Sequence, residues 1–99
     1  MIFAADILRK ANLTGANLEG ANLHNAYLKA AVLSNVNLSG ANLNKASLEL
    51  AILLDANLDQ ANLWNANLAD ANLSSSKLVE VNLVRANLAG ADLVNDSLN

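Results

Sequence analysis

The chain has no cysteine, one histidine and only three aromatic residues, Phe3, Tyr27 and Trp64, among its 99. Without cysteine there is neither a disulfide framework nor a thiolate metal site, which suits a reducing compartment. With so few aromatics, aliphatic side chains must build the core. The longest apolar runs are a few residues, far below the roughly 20 that a membrane-spanning helix needs. Met1 to Lys10 also lacks the basic start and long apolar stretch of a signal peptide, so the expected location is the cytoplasm, with no membrane partner. Six bases against nine acids give a net charge of −3, too mild to dictate a nucleic-acid partner.

What the chain does have is a period of five. From Leu8 to Leu98 every fifth position is leucine, nineteen in succession, with Phe3 in the slot before them. Two residues ahead of each leucine stands a small residue, alanine in fourteen of the nineteen units, with Val36, Val81 and Ser76 as variants and Asp6 and Asp96 at the two ends. Asparagine precedes the leucine directly eleven times, and the two residues after it are mixed and mostly polar. Each unit thus has two inward residues, one small and one large, and three outward ones.

A helix cannot use this pattern. At about 100° per residue, leucines five apart advance about 140° each and spread around the whole cylinder, leaving no polar face. Asparagine and glycine also oppose helix and favour turns with positive φ. All four glycines fall two residues after a leucine, a slot shared by Asn25, Asn35, Asn65 and Asn95, so that slot is expected to be a corner. A chain that makes a very short extended segment, turns and repeats must coil. Coils satisfy their backbone groups by stacking about 4.8 Å apart, so the expectation is an all-β solenoid.

The units Ala11-Asn12-Leu13, Ala16-Asn17-Leu18, Ala41-Asn42-Leu43, Ala61-Asn62-Leu63 and Ala91-Asp92-Leu93 resemble the motif of the pentapeptide-repeat proteins, approximately A-[D/N]-L-x-x. The resemblance covers residues 6–98, and the expected organisation is one repeat domain over 6–99 after a lead-in or cap at 1–5. It implies a right-handed quadrilateral β-helix with four pentapeptides per coil and nearly five coils, and right-handedness agrees with the rule for parallel crossovers. The residues themselves favour four units per coil only narrowly. The seven slots where something other than Asn or Asp precedes the leucine pair four times at an offset of 20 and three times at 25.

On this register Leu28, Leu33, Leu38, Leu43, Leu48, Leu53, Leu58, Leu63 and Leu68 form the structural core and meet on the axis, leaving no lumen for a small molecule or cofactor. Leu63→Ala is expected to cost about 2–5 kcal/mol and the outward Asp59→Ala less than about 0.5. The asparagines stack in ladders that bond to turn backbone and to each other.

Catalytic and metal sites are not expected. His24 has no second ligand at repeat spacing and reads as a solvated surface residue. Glu19 and Asp59 share a column two coils apart, about 10 Å, too far to share a proton. The serines, Ser74-Ser75-Ser76 included, have no positioned base, and there is no phosphate-cradling loop.

The outer surface carries the candidate interface. Val32 stacks on Ile52, with Leu54 beside them, Leu50 at the adjoining corner and Tyr27 on the neighbouring face; the cluster is either a contact surface or an apolar wall partly covered by its neighbours. Trp64 shares a column with His24, Asn44 and Val84, near the corner residues Lys45 and Arg85, and reads as a cation-π cluster or a binding anchor. Leu93 and Leu98 lie at the C-terminal edge, where an open coil favours self-association or end-to-end stacking with another repeat chain. The resulting expectation is a non-enzymatic module presenting flat faces to protein partners. The resemblance adds an alternative, a DNA mimic that binds a type II topoisomerase. Against it, the charge signs alternate and leucine fills every central slot, where mimics carry dense acidic columns and often phenylalanine.

Overall fold

Residues 8–97 are described here from a computed structural model. The lead-in at 1–5, with Phe3, and Leu98 lie outside the described residues.

The five-residue period becomes one extended residue and one turn, repeated. In every unit from Leu8 to Asp96 the small residue's backbone N–H donates to the carbonyl of the leucine three residues earlier, at 2.9–3.3 Å. The third residue of each such turn has positive φ, as in a type II turn. This holds at all eighteen corners from Lys10 to Asn95, only four of which are glycine. The corner expected from Gly and Asn is therefore imposed on Lys45, Leu50, Gln60, Glu80 and Arg85 too. A non-glycine residue there costs about 1–2 kcal/mol, and the backbone bonding of the stacked turns holds it in place.

Between turns, the residue ahead of each leucine pairs in parallel with the residue twenty positions on: Asn22 with Asn42, Asn42 with Asn62, Val32 with Ile52, and so on through Lys77 with Ser97. Twenty residues are four units. Three of the five backbone N–H groups of a unit serve this stacking. Leu13 donates to the Val32 carbonyl at 2.7 Å and Gly15 to that of Ser34 at 2.8 Å, while Val32 donates back to Ala11 at 2.8 Å. A fourth closes the turn.

The fifth N–H, on the residue after the leucine, has no backbone acceptor, and supplying one is what asparagine does. In all eleven Asn-Leu units and in Asp92-Leu93 the side-chain Oδ1 accepts this N–H from two residues on, at 3.0–3.2 Å. The expected bonding of asparagines to one another is reduced, among the described residues, to a single contact, Asn37 Nδ2 to Asn17 Oδ1 at 3.4 Å. The ladder is thus mainly a row of turn caps.

The leucines point inward. The repeat leucines from Leu23 to Leu78 are all 1% exposed or less, and so are the alanines two residues ahead of a leucine from Ala26 to Ala71, together with Val36 in one of the same slots. Ser76 fits an alanine slot because its buried hydroxyl donates to the Leu53 carbonyl at 2.7 Å. Towards the C-terminal end the cover thins: Leu83 and Leu88 are half-buried and Leu93 is 36% exposed.

Candidate interaction surface

With the inward slots filled, the described residues enclose no ligand-sized cavity. No three His, Cys, Asp or Glu side chains among them converge where a metal could sit. His24 is exposed, and its Nε2 lies 3.0 Å from Asn25 Nδ2. No described helix is long and apolar enough to cross a membrane.

Asp59, expected to be a dispensable outward acid, has a structural role. Lys77 stands where an asparagine would cap the Val79 N–H, and Asp59 Oδ1 accepts that N–H instead, at 2.9 Å, from one circuit earlier. A second acid does similar work at the C-terminal end. Asp96 occupies an alanine slot above Ser76; its Oδ1 accepts the Ser76 N–H at 2.8 Å, while Oδ2 is enclosed without a partner. Burial raises this carboxyl above its ordinary range, the Ser76 bond partly offsets that, and the nearby Asp92 charge adds to it.

The outward apolar residues are where the exposed apolar surface concentrates. Leu50, Ile52 and Leu54 alternate with inward Ala51 and Leu53, so they project together from one circuit, exposed by 53%, 39% and 39%. Val32, half-buried, pairs with Ile52 from the circuit before, and half-buried Tyr27 pairs with Ser47 in a separate column. Among the described residues Leu50 is the only large apolar one at a corner, with φ of 61°.

A second group forms around Trp64, half-buried, with the Lys45 ammonium 5.7 Å from the centre of its ring. Val84, 60% exposed, stands twenty positions beyond Trp64, and Arg85 occupies the corner after it. Val84 was legible only as a member of this column, and exposed Val94, forty positions beyond Leu54, was missed; stepping by twenty from Leu54 finds it.

A backbone that turns at every fifth residue and pairs in parallel with itself at intervals of twenty defines a β-solenoid repeat protein. The family model for pentapeptide repeats matches in eight copies, over residues 7–44, 31–67 and 66–95, and the chain belongs to the pentapeptide repeat family. It is similar to the crystal structure of a pentapeptide repeat protein (Rfr23) from the cyanobacterium Cyanothece 51142, with a TM-score of 0.90 and 40% identity over 92% of this chain and 63% of that one. A pentapeptide repeat protein from the Arabidopsis thaliana thylakoid lumen gives a TM-score of 0.51 at 28% identity, over 89% of this chain and 64% of that one. QnrB1, a plasmid-mediated fluoroquinolone resistance protein, gives 0.51 at 21% identity, over 99% and 65%, a likeness of fold alone. The chain spans a little under two thirds of each of these proteins. None of the curated proteins matches it.

Proposed function

We propose that the chain is a non-enzymatic module whose flat outer walls make protein–protein contacts, with the wall bearing Leu50, Ile52 and Leu54 as the principal contact. The solenoid is taken as right-handed and four-walled with nearly five coils. The constant interval of twenty supports the four walls, and the crossover rule supports the hand. The observation that carries the functional reading is the projection of three large exposed apolar residues from a single circuit, the other exposed ones among the described residues, Val84, Leu93 and Val94, lying towards the C-terminal end. Contiguous exposed apolar groups on a folded domain mark contact sites more often than isolated ones do. Val32, half-buried, extends that contact one circuit earlier and half-buried Tyr27 stands on the adjoining wall, while half-buried Trp64 anchors a separate wall. End-to-end continuation past Leu93 by a second repeat chain belongs to the same reading.

The test is affinity capture with the wild-type chain, Ile52→Lys and a control, Glu19→Lys, at an exposed position on the adjoining wall. Proteins held through this wall are retained by wild type and control and lost with Ile52→Lys. Identical capture by all three variants contradicts the reading. A gyrase supercoiling assay tests the mimic alternative separately.

A further inference from the structure

Two opposite walls of the solenoid are complementary in charge as well as apolar. With four units to a circuit, the wall of Leu50, Ile52 and Leu54 and the wall of Trp64 and Val84 are two units apart, on opposite sides of the square. The first wall is edged by acids: Asp70 follows Leu50 in its corner column, Asp55 holds the other corner, and Asp92 lies two circuits beyond Ile52. Its one base, Lys10, is two circuits before Leu50. The second wall is edged by bases, Lys45 and Arg85, both exposed in one corner column, against a single acid, Glu80, at its other corner.

We infer that the occupant of the Leu50–Ile52–Leu54 wall is a second copy of this chain, docked through its Trp64–Val84 wall. This rests on the contact function proposed above and names the partner. Apolar groups meet apolar groups, while the corner column that carries Asp70 faces the corner column of Lys45 and Arg85, the arrangement that steers and registers an interface. A two-fold contact of the first wall with itself places Asp55, Asp70 and Asp92 against their own copies, and a two-fold contact of the second does the same with Lys45 and Arg85; like charges disfavour both.

Leu50 is a second, independent pointer. It occupies a left-handed corner, where a bulky apolar residue is disfavoured, and half its surface is in water. Within its own chain it accepts both penalties with no compensating burial, and a partner supplies that burial.

Because the two docking walls lie on opposite sides, the contact is heterologous and does not close: copies add laterally into open rows. Sedimentation velocity and light scattering across a concentration series read this directly. Wild-type protein forms assemblies that grow with concentration. Ile52→Lys, which spoils one wall, and the pair Trp64→Ala with Arg85→Glu, which spoils the other, are each monomeric alone, with association weakened roughly tenfold or more. Mixed in equal amounts, the two variants form a dimer and nothing larger, since each contributes its one intact wall.

Circular dichroism and melting of each variant establish that it is folded. A wild type that stays monomeric to millimolar concentration overturns the inference. So does loss of association in Ile52→Lys with none in the Trp64/Arg85 variant, which is the signature of a two-fold contact. Neither result removes the contact reading itself, which fails only if capture is also indifferent to Ile52→Lys.

Discussion

The Asp59 carboxylate accepts the Val79 backbone N–H at 2.9 Å from the neighbouring circuit, doing for it what the asparagine two residues earlier does in eleven other units. An orphan donor created by one substitution, Lys77, is thus satisfied by a side chain twenty residues before its own. The two positions are coupled, although neither shares a unit with the other.

This coupling predicts a double-mutant cycle. Asp59→Ala destabilises by about 1 kcal/mol, the scale of a half-exposed hydrogen bond to a charged acceptor. In a Lys77→Asn background the new Oδ1 caps Val79 locally and the same change costs about 0.3 kcal/mol or less. Denaturation midpoints of the four proteins check this; equal losses in both backgrounds refute the substitution of one cap for another.

Truncating the core separates middle from end. Leu63→Ala leaves a cavity among fully buried neighbours and costs about 2–5 kcal/mol. Leu93→Ala, at a position already 36% exposed, costs about 1 kcal/mol or less. Melting shifts of equal size for the two contradict the inward register.

Relieving the strained corner stabilises. Leu50→Asn places a residue tolerant of positive φ where leucine now sits at 61°, and raises stability by about 0.5–1 kcal/mol at low protein concentration. Light scattering on the same variant shows weaker association, so the two readouts move in opposite directions.

Asp96 supplies a pH dependence. Its carboxyl is raised in the folded chain above its ordinary value of 3.8, chiefly by burial. The folded state therefore holds the proton more tightly than the unfolded one. The stabilisation is fully present below the unfolded pKa and is lost as pH rises through the higher folded value. Asp96→Asn keeps an oxygen acceptor for the Ser76 N–H and removes the buried charge. Melts between pH 3 and 7 show this variant more stable than wild type at pH 7, with the difference vanishing near pH 3. A difference independent of pH contradicts the assignment.

The repeat, the corner slot and the inward leucines were legible because each is a strict local period: one residue type, or one conformational preference, every five positions. The use of asparagine was half legible. Its recurrence ahead of leucine pointed to a ladder, but the decisive feature is the fifth N–H of the unit, which emerges only once the other four are assigned. Asp59 was misread because its bond spans two circuits and depends on what is missing at Lys77. The conformation at Lys45, Glu80 and Arg85 also runs against residue preference; the stacked turn bonds override it. Leu50, Ile52 and Leu54 were legible as outward, whereas their net exposure depends on how far neighbouring side chains reach across the wall, which no period encodes.

Every column and wall named above follows from the circuit of twenty. The chain has no cysteine, so a pair introduced at two positions reports on those two alone. Tyr27 and Ser47 pair directly across circuits, and neither caps a turn. Cysteines at 27 and 47 lie at the spacing of stacked strands, about 4.8 Å, within the range a disulfide accepts. Under mild oxidation the 27/47 pair closes rapidly within one molecule, whereas 27/42 and 27/52, offset by one unit either way, do not. Closure of 27/42 or 27/52 at the rate of 27/47 contradicts the four-unit circuit, and with it the placing of the two walls on opposite sides.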